Sequence, residues 1–284
     1  MDNIIVIGGS GQLGQCLQDV VSNSVQPYKY IFLSQADLNL TLPLAVKVLF
    51  ETYKPAFCIN CAAYTAVDKA EEEPALAHEI NEYAVRKLAE ICATYQSTLI
   101  HISTDFVFDG QTGIPLTEKS QTNPINVYGL SKLKGEQAIA EVLDSFYIIR
   151  TSWLYSEKAN NFCKTMLKLA QIKDHLQVIS DQVGTPTYAM DLAQTITLII
   201  NSNQNAYGIY HYSNEGVASW YDFAKAIFEF AEIDIDVLPV NSNAFVTKAM
   251  RPHYSVLDKA KIKNTFNISI PYWKESLNRC INRM

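Results

Sequence analysis

Asn3-Ile4-Ile5-Val6-Ile7 runs without a break into Gly8-Gly9-Ser10-Gly11-Gln12-Leu13-Gly14, and 15–21 then carries a helical pattern. The apolar, β-branched run predicts a parallel strand covered on both faces, since such a strand must hide every side chain. Glycines at 8, 11 and 14 permit a tight turn, close approach of backbone to a pyrophosphate, and close packing of helix on strand. The pyrophosphate would sit at the helix N-terminus, on N–H groups without intrahelical partners and at the positive end of the dipole. The spacing is G-x-x-G-x-x-G rather than G-x-G-x-x-G, so its weight comes from its place between strand and helix.

Further strands are predicted at 28–33, 56–61, 99–102 and 146–150, with helices at 44–53 and 75–95 between them. That alternation specifies an α/β fold with a doubly wound parallel sheet. Ligands then bind beyond the carboxyl ends of the strands, where 8–14, Ala62-Ala63-Tyr64, Ser103-Thr104-Asp105 and Trp153 fall. Small residues at 62 and 63 let a cofactor lie close to the backbone. After the second strand come Ser34 and Gln35 rather than the carboxylate that usually holds a ribose 2′-hydroxyl. No charge there repels a 2′-phosphate, which leaves NADPH or NADH as the cofactor, leaning to NADPH.

The chemistry centres on Tyr128-Gly129-Leu130-Ser131-Lys132. Residues four apart on a helix share a face, so phenol and ammonium aim into one site. A free phenol titrates at about 10, and a nearby cation lowers that value, which makes the pair an acid. Thr104, at the end of its strand, could offer a hydroxyl to the same substrate oxygen. Taken alone, the pair equally describes a partly buried Tyr beside a snorkelling Lys. Arg251 could meet a diphosphate bidentately, or be an ordinary exposed loop Arg. Asn81 reads as a solvated helix position, with a water-holding side chain near the active site as the alternative. Cys58 and Cys61 lie three apart in a strand, point to opposite faces and make a poor redox or metal pair. His101, His175, His211 and His253 show no metal spacing and receive no role, and no metal is predicted.

With 284 residues, 48% hydrophobic and 18% charged, the chain can bury a full core, as one large or two unequal domains. A net charge of −6 with scattered Lys and Arg gives no footprint for nucleic acid. No cationic start precedes the first apolar run, and no such run approaches the roughly 18 residues of a membrane span. The expected location is the cytoplasm, away from membranes. Six dispersed cysteines are expected to be reduced thiols.

Jointly, Gly8/Gly11/Gly14, Asn60-Cys61-Ala62-Ala63, Ser103-Thr104 and Tyr128 with Lys132 resemble the extended short-chain dehydrogenases/reductases. Ala62-Ala63-Tyr64-Thr65-Ala66-Val67-Asp68-Lys69-Ala70-Glu71, Ser103-Thr104-Asp105-Phe106-Val107-Phe108-Asp109-Gly110, Asn126-Val127-Tyr128-Gly129, Arg150-Thr151-Ser152-Trp153 and Arg251-Pro252 narrow the resemblance to the dTDP-4-dehydrorhamnose reductase family. The chain departs from that pattern at Asn39, Phe106 and Tyr254.

The resemblance implies a Rossmann sheet with a smaller C-terminal substrate-binding domain. A dinucleotide-binding unit would span 1–153, with parts of 176–205 returning to it, and 154–284 would serve mainly the nucleotide-sugar. Gly11, Gln12 and Leu13 would touch the cofactor phosphates, and Asn39 and Leu40 would flank the adenine. Ala62, Ala63 and Tyr64 would line the nicotinamide, and Tyr128 and Lys132 would reach its ribose. Ser103, Thr104, Asp105 and Trp153 would face the deoxysugar, with Val67 nearby. The implied reaction is reduction of a C4 ketone on dTDP-4-dehydro-β-L-rhamnose, with Tyr128 as proton donor. Extended members often pair through helices beside the sheet, so a homodimer is the implied assembly. An epimerase or dehydratase of the same superfamily, or a non-catalytic dinucleotide-binding regulatory subunit, are the alternatives.

Overall fold

The computed structural model describes every residue except Ser24, Gln26 and Val246. At its centre is a six-stranded parallel sheet in the order Gly208–His211, Phe146–Thr151, Thr98–Thr104, Phe57–Asn60, Asn3–Ile7 and Lys29–Leu33. Successive side chains of each strand feed opposite faces. Ile4, Val6, Ile59, Ile100 and Ile149 pack on one side with the Ala189–Asn201 helix; Ile5, Ile7, Cys58, Leu99 and Ile148 pack on the other with the Ala84–Thr94 helix. Both faces are covered, which is why the strands read as unbroken apolar runs. Fully burying one such branched side chain is worth roughly 1.5–3 kcal/mol.

Chain order reverses between Asn3–Ile7 and Phe57–Asn60, and the crevice at that switch point lies between the glycine turn and the loop after Asn60. The two loops touch. Gly8 has φ +82°, and a Cβ on it would stand 2.8 Å from the Ala62 nitrogen. At Gly14, in the first turn of the Gln12–Ser22 helix, a Cβ would lie 2.4 Å from the Gly8 oxygen. Neither neighbour is a flexible side chain. Gly14→Ala is therefore expected to lower stability by about 1–3 kcal/mol through overpacking, read as a lower urea midpoint at unchanged slope.

Of the 176–205 stretch expected to return in part, the Ala189–Asn201 helix packs on the sheet, and the return extends beyond it to Gly208–His211. Strand His175–Ile179 pairs instead with Asp236–Val240 in a small parallel ribbon. The Ala189–Asn201 helix covers the sheet, and Gly208–His211 becomes its edge strand beside Phe146–Thr151. Short pairings of Leu154–Tyr155 with Thr187–Tyr188 and of Val183–Gly184 with Ala218–Ser219, with the Phe162–Ala170 and Trp220–Phe230 helices, build the part facing the strands' carboxyl ends. Cys58 and Cys61 remain free thiols. Among the described residues, no helix is long and apolar enough to cross a membrane.

Candidate active site

The Val127–Val142 helix carries Tyr128 and Lys132, and its start is fixed from three directions. Asn126 caps it by accepting the Gly129 N–H at 2.7 Å, and donates its own amide to the Met250 carbonyl at 2.7 Å. Glu71 accepts the Val127 N–H at 2.8 Å. Tyr128, Lys132 and Glu136 then follow at four-residue spacing on one face, turned to the Thr98–Thr104 strand. Lys132 is 2% exposed and donates to the Ile102 carbonyl at 2.7 Å, with His101 Nε2 3.2 Å from its amine.

Tyr128 is half-buried and packs edge-on against Phe106, with ring centroids 5.7 Å apart. Its phenol is pushed up to about 12 by burial, against a hydrogen bond with Thr104 that lowers it and with a smaller push upward from the Asp105 charge. The expected lowering by Lys132 is thus overturned. Burial of the phenol dominates, and the Lys132 amine is turned to the Ile102 carbonyl at 2.7 Å, with His101 Nε2 3.2 Å away. Lys132 itself is pulled down to about 8 by burial.

Thr104 accepts the Phe106 N–H at 3.2 Å and donates to Asp105 Oδ1 at 3.0 Å. Asp105 is buried, which raises its carboxyl to about 6 against hydrogen bonds from Ser255 and Thr104. Its Oδ2 is buried with no hydrogen-bond partner among the described residues, an acceptor suited to a ligand hydroxyl. Ser103 is a correction. One pleat away from Thr104, it turns to the opposite side and donates to Glu136 at 2.5 Å, joining a buried ion pair of Glu136 with Arg150 rather than a ligand.

On the cofactor side, the Gln12–Ser22 helix opens on Gly11 with no side-chain cap among the described residues, which leaves its first-turn N–H groups to a ligand. Those donors and the cradle at Gly8 and Gly14 fit a dinucleotide. Leu13 sends its side chain into the core. The Gln12 side chain is held away by Ser156 and Asn161, which both donate to its Oε1 at 3.0 Å. Ala62 and Ala63 are half-buried beside the glycine turn, and Tyr64 bonds Glu73 at 2.9 Å. Asn39 is exposed, its Oδ1 accepting from the Thr41 N–H at 3.0 Å, whereas Leu40 is buried with Leu38 and Val46 and so cannot flank an adenine with its side chain.

The absence of a carboxylate after the second strand is also corrected. A turn brings Asp37 back to accept from the Ser34 N–H at 2.8 Å and hydroxyl at 2.6 Å, and these bonds hold the acid below its usual range.

Asn81, expected in solvent, is fully buried. Wider turns over Glu79–Tyr83 bring it inward, where it accepts the Tyr64 N–H at 2.9 Å and donates to the Tyr64 carbonyl and the Ser131 hydroxyl, each at 3.0 Å. It ties the loop after Asn60 to the Tyr128 helix. Asn81→Ala is expected to cost about 1–3 kcal/mol in denaturant unfolding, because buried partners lose their bonds.

A cleft of about 370 Å³ begins at Phe106, directly after Asp105 in the chain, and is lined also by Trp153, Phe162, Trp220, Arg251 and Ser255. Trp153, with φ +48°, stacks flat on Trp220 with centroids 3.7 Å apart. Arg251 reaches the rim, where its guanidinium grips Asp68 at 2.6 and 3.2 Å, beside half-buried Val67. Its expected availability to a diphosphate is reduced by that carboxylate. A second cavity, of about 430 Å³ near Asp191 and Phe266, includes none of these groups. Trp220, Phe162 and Ser255 escaped sequence reasoning, because their places depend on segments far away in the chain.

Residues 1–284 match the family described as RmlD substrate binding domain. A dTDP-4-dehydrorhamnose reductase of Aggregatibacter actinomycetemcomitans is 38% identical, over 98% of this chain and 97% of that one. The crystal structure of a dTDP-4-dehydrorhamnose reductase from Clostridium acetobutylicum superposes with a TM-score of 0.94 at 40% identity, over 99% of both chains. That of the Bacillus anthracis enzyme, in complex with NADP, also has a TM-score of 0.94, at 37% identity over 100% of this chain and 99% of that one.

Proposed function

The chain belongs to the dTDP-4-dehydrorhamnose reductase family, and from that premise we propose that it reduces the C4 ketone of dTDP-4-dehydro-β-L-rhamnose to dTDP-β-L-rhamnose. The observation that carries the reading is the convergence of Tyr128, Thr104 and Lys132 at the carboxyl end of the Thr98–Thr104 strand, next to an aromatic cleft. NADPH or NADH, when bound, supplies the hydride. The chain's own groups do the rest.

Thr104 holds O4 through its hydroxyl, and Tyr128 gives that oxygen its proton as negative charge develops there. A phenol with a pKa of about 12 stays protonated at neutral pH, and an alkoxide is a much stronger base than a phenolate, so transfer runs downhill. Lys132 orients the nicotinamide ribose. Buried Asp105 accepts from a sugar hydroxyl through Oδ2, and Trp153, stacked on Trp220, bounds the deoxysugar. The first-turn N–H groups after Gly11 hold the pyrophosphate. Asp37, charged at neutral pH, weighs against a 2′-phosphate and so towards NADH.

We assign 1–153 with the returning sheet segments to the dinucleotide and the remainder mainly to the nucleotide-sugar. A cytoplasmic location and a homodimer complete the proposal. The test is oxidation of NADPH and of NADH by the purified protein with enzymatically made dTDP-4-dehydrorhamnose, followed by the loss of reduced-nicotinamide absorbance. Turnover of that sugar is the expected result. A protein that binds either cofactor but never oxidises it with this substrate would defeat the assignment.

A further inference from the structure

Asn60 ends its strand with the amide orientation determined. Its Oδ1 accepts the Ala62 N–H at 3.1 Å, so its Nδ2 must face the other way, towards His101 Nδ1, 3.1 Å distant on the neighbouring strand. An amide NH2 can only donate, so Nδ1 accepts and the neutral ring carries its proton on Nε2. His101 is fully buried, and burial with the nearby Lys132 holds it well below its ordinary pKa, hence neutral. The ring therefore directs an N–H at the Lys132 amine, 3.2 Å away. An ammonium has three N–H groups and no lone pair, and would meet this donor with a donor. A neutral amine accepts from Nε2, donates to the Ile102 carbonyl and keeps one N–H to spare.

We propose that His101 is a positioning residue: locked by Asn60 with its proton on Nε2, it opposes the charged form of Lys132 and sets the pH above which the lysine can no longer grip the cofactor as a cation. This deepens the reductase reading and rests on its assignment of Lys132 to the nicotinamide ribose. Other groups act on the amine. Glu136, one turn further along its helix and paired with Arg150, and Cys61 in the facing loop both favour the ammonium; burial opposes them. Tyr128, one turn earlier, stays neutral. The lysine's folded pKa lies below its unfolded one, so the cation is present below about 8 and is lost as pH rises through that value.

Two variants reverse the donor. In Asn60→Asp the carboxylate still accepts from Ala62 and draws the His101 proton onto Nδ1, which leaves a lone pair on Nε2 for the ammonium. In His101→Gln a carbonyl can accept from it. The experiment measures NADPH affinity against pH by nicotinamide fluorescence, together with the nitrogen-15 shifts of the histidine rings in the unliganded protein. The alkaline loss of affinity should move up by about one pH unit in both variants, and the wild-type ring should carry its proton on Nε2 and the Asn60→Asp ring on Nδ1. A wild-type ring protonated on Nδ1, or an alkaline limb unmoved in both folded variants, overturns the proposal. Neither readout needs turnover, so a failed reductase assay strikes the proposed reaction and leaves this inference to its own result.

Discussion

Tyr128→Phe should lower kcat by about 10²- to 10⁴-fold while NADPH still binds with nearly unchanged affinity. The substitution removes one oxygen and keeps the ring that packs edge-on against Phe106. What disappears is the proton that O4 needs, together with the hydrogen bond to Thr104. Water cannot readily replace that donor in a buried site. Stopped-flow measurement of a single turnover separates the chemical step from product release. A variant that keeps its single-turnover rate would mean that another group donates the proton, and buried Asp105, at about 6, would be the first to consider. If cofactor affinity collapsed along with kcat, the phenol would be acting mainly in binding.

The second large effect is expected in stability rather than in rate. Glu136→Ala should destabilise the fold by about 3–5 kcal/mol, because it strands the Arg150 guanidinium in the interior. Arg150 is 3% exposed and meets Glu136 through Nε at 3.0 and 3.2 Å and through Nη2 at 2.6 Å, while Ser103 adds a third donor to the same carboxylate. A buried pair is worth little net against apolar residues of equal volume, since both charges had to leave water. The double variant Glu136→Met/Arg150→Met should therefore recover most of the loss. Chemical denaturation of the three proteins checks both statements: a single variant as stable as the wild type would show that Arg150 finds another partner, His211 at 3.4 Å being the nearest available.

The strand, glycine turn and helix at the amino terminus, the alternation that follows, and the placing of Tyr128 above Lys132 on one helix face were all legible in the residues themselves. Each depends on near neighbours: β-branched runs prefer strands, glycine permits the turn at Gly8, and a helix repeats every 3.6 residues. Even so, the direction of local side chains was only half readable. Ser103 and Thr104 are adjacent, yet the pleat sends one to Glu136 and the other to Asp105 and the Phe106 N–H, and only the packing of the Val127–Val142 helix decides which.

Tertiary structure alone decided the electrostatics. The phenol of Tyr128 rises because elements from distant parts of the chain exclude water from it. Asp37 reaches the end of the second strand by a turn, Asn81 leaves solvent through a local widening of its helix, and Asn60 meets His101 across 41 residues of sequence. Residue order and periodicity carry the backbone path, because backbone preferences are local. Protonation, tautomer and side-chain partnership depend on burial and on contacts between segments remote in sequence, and these exist only once the chain has closed upon itself.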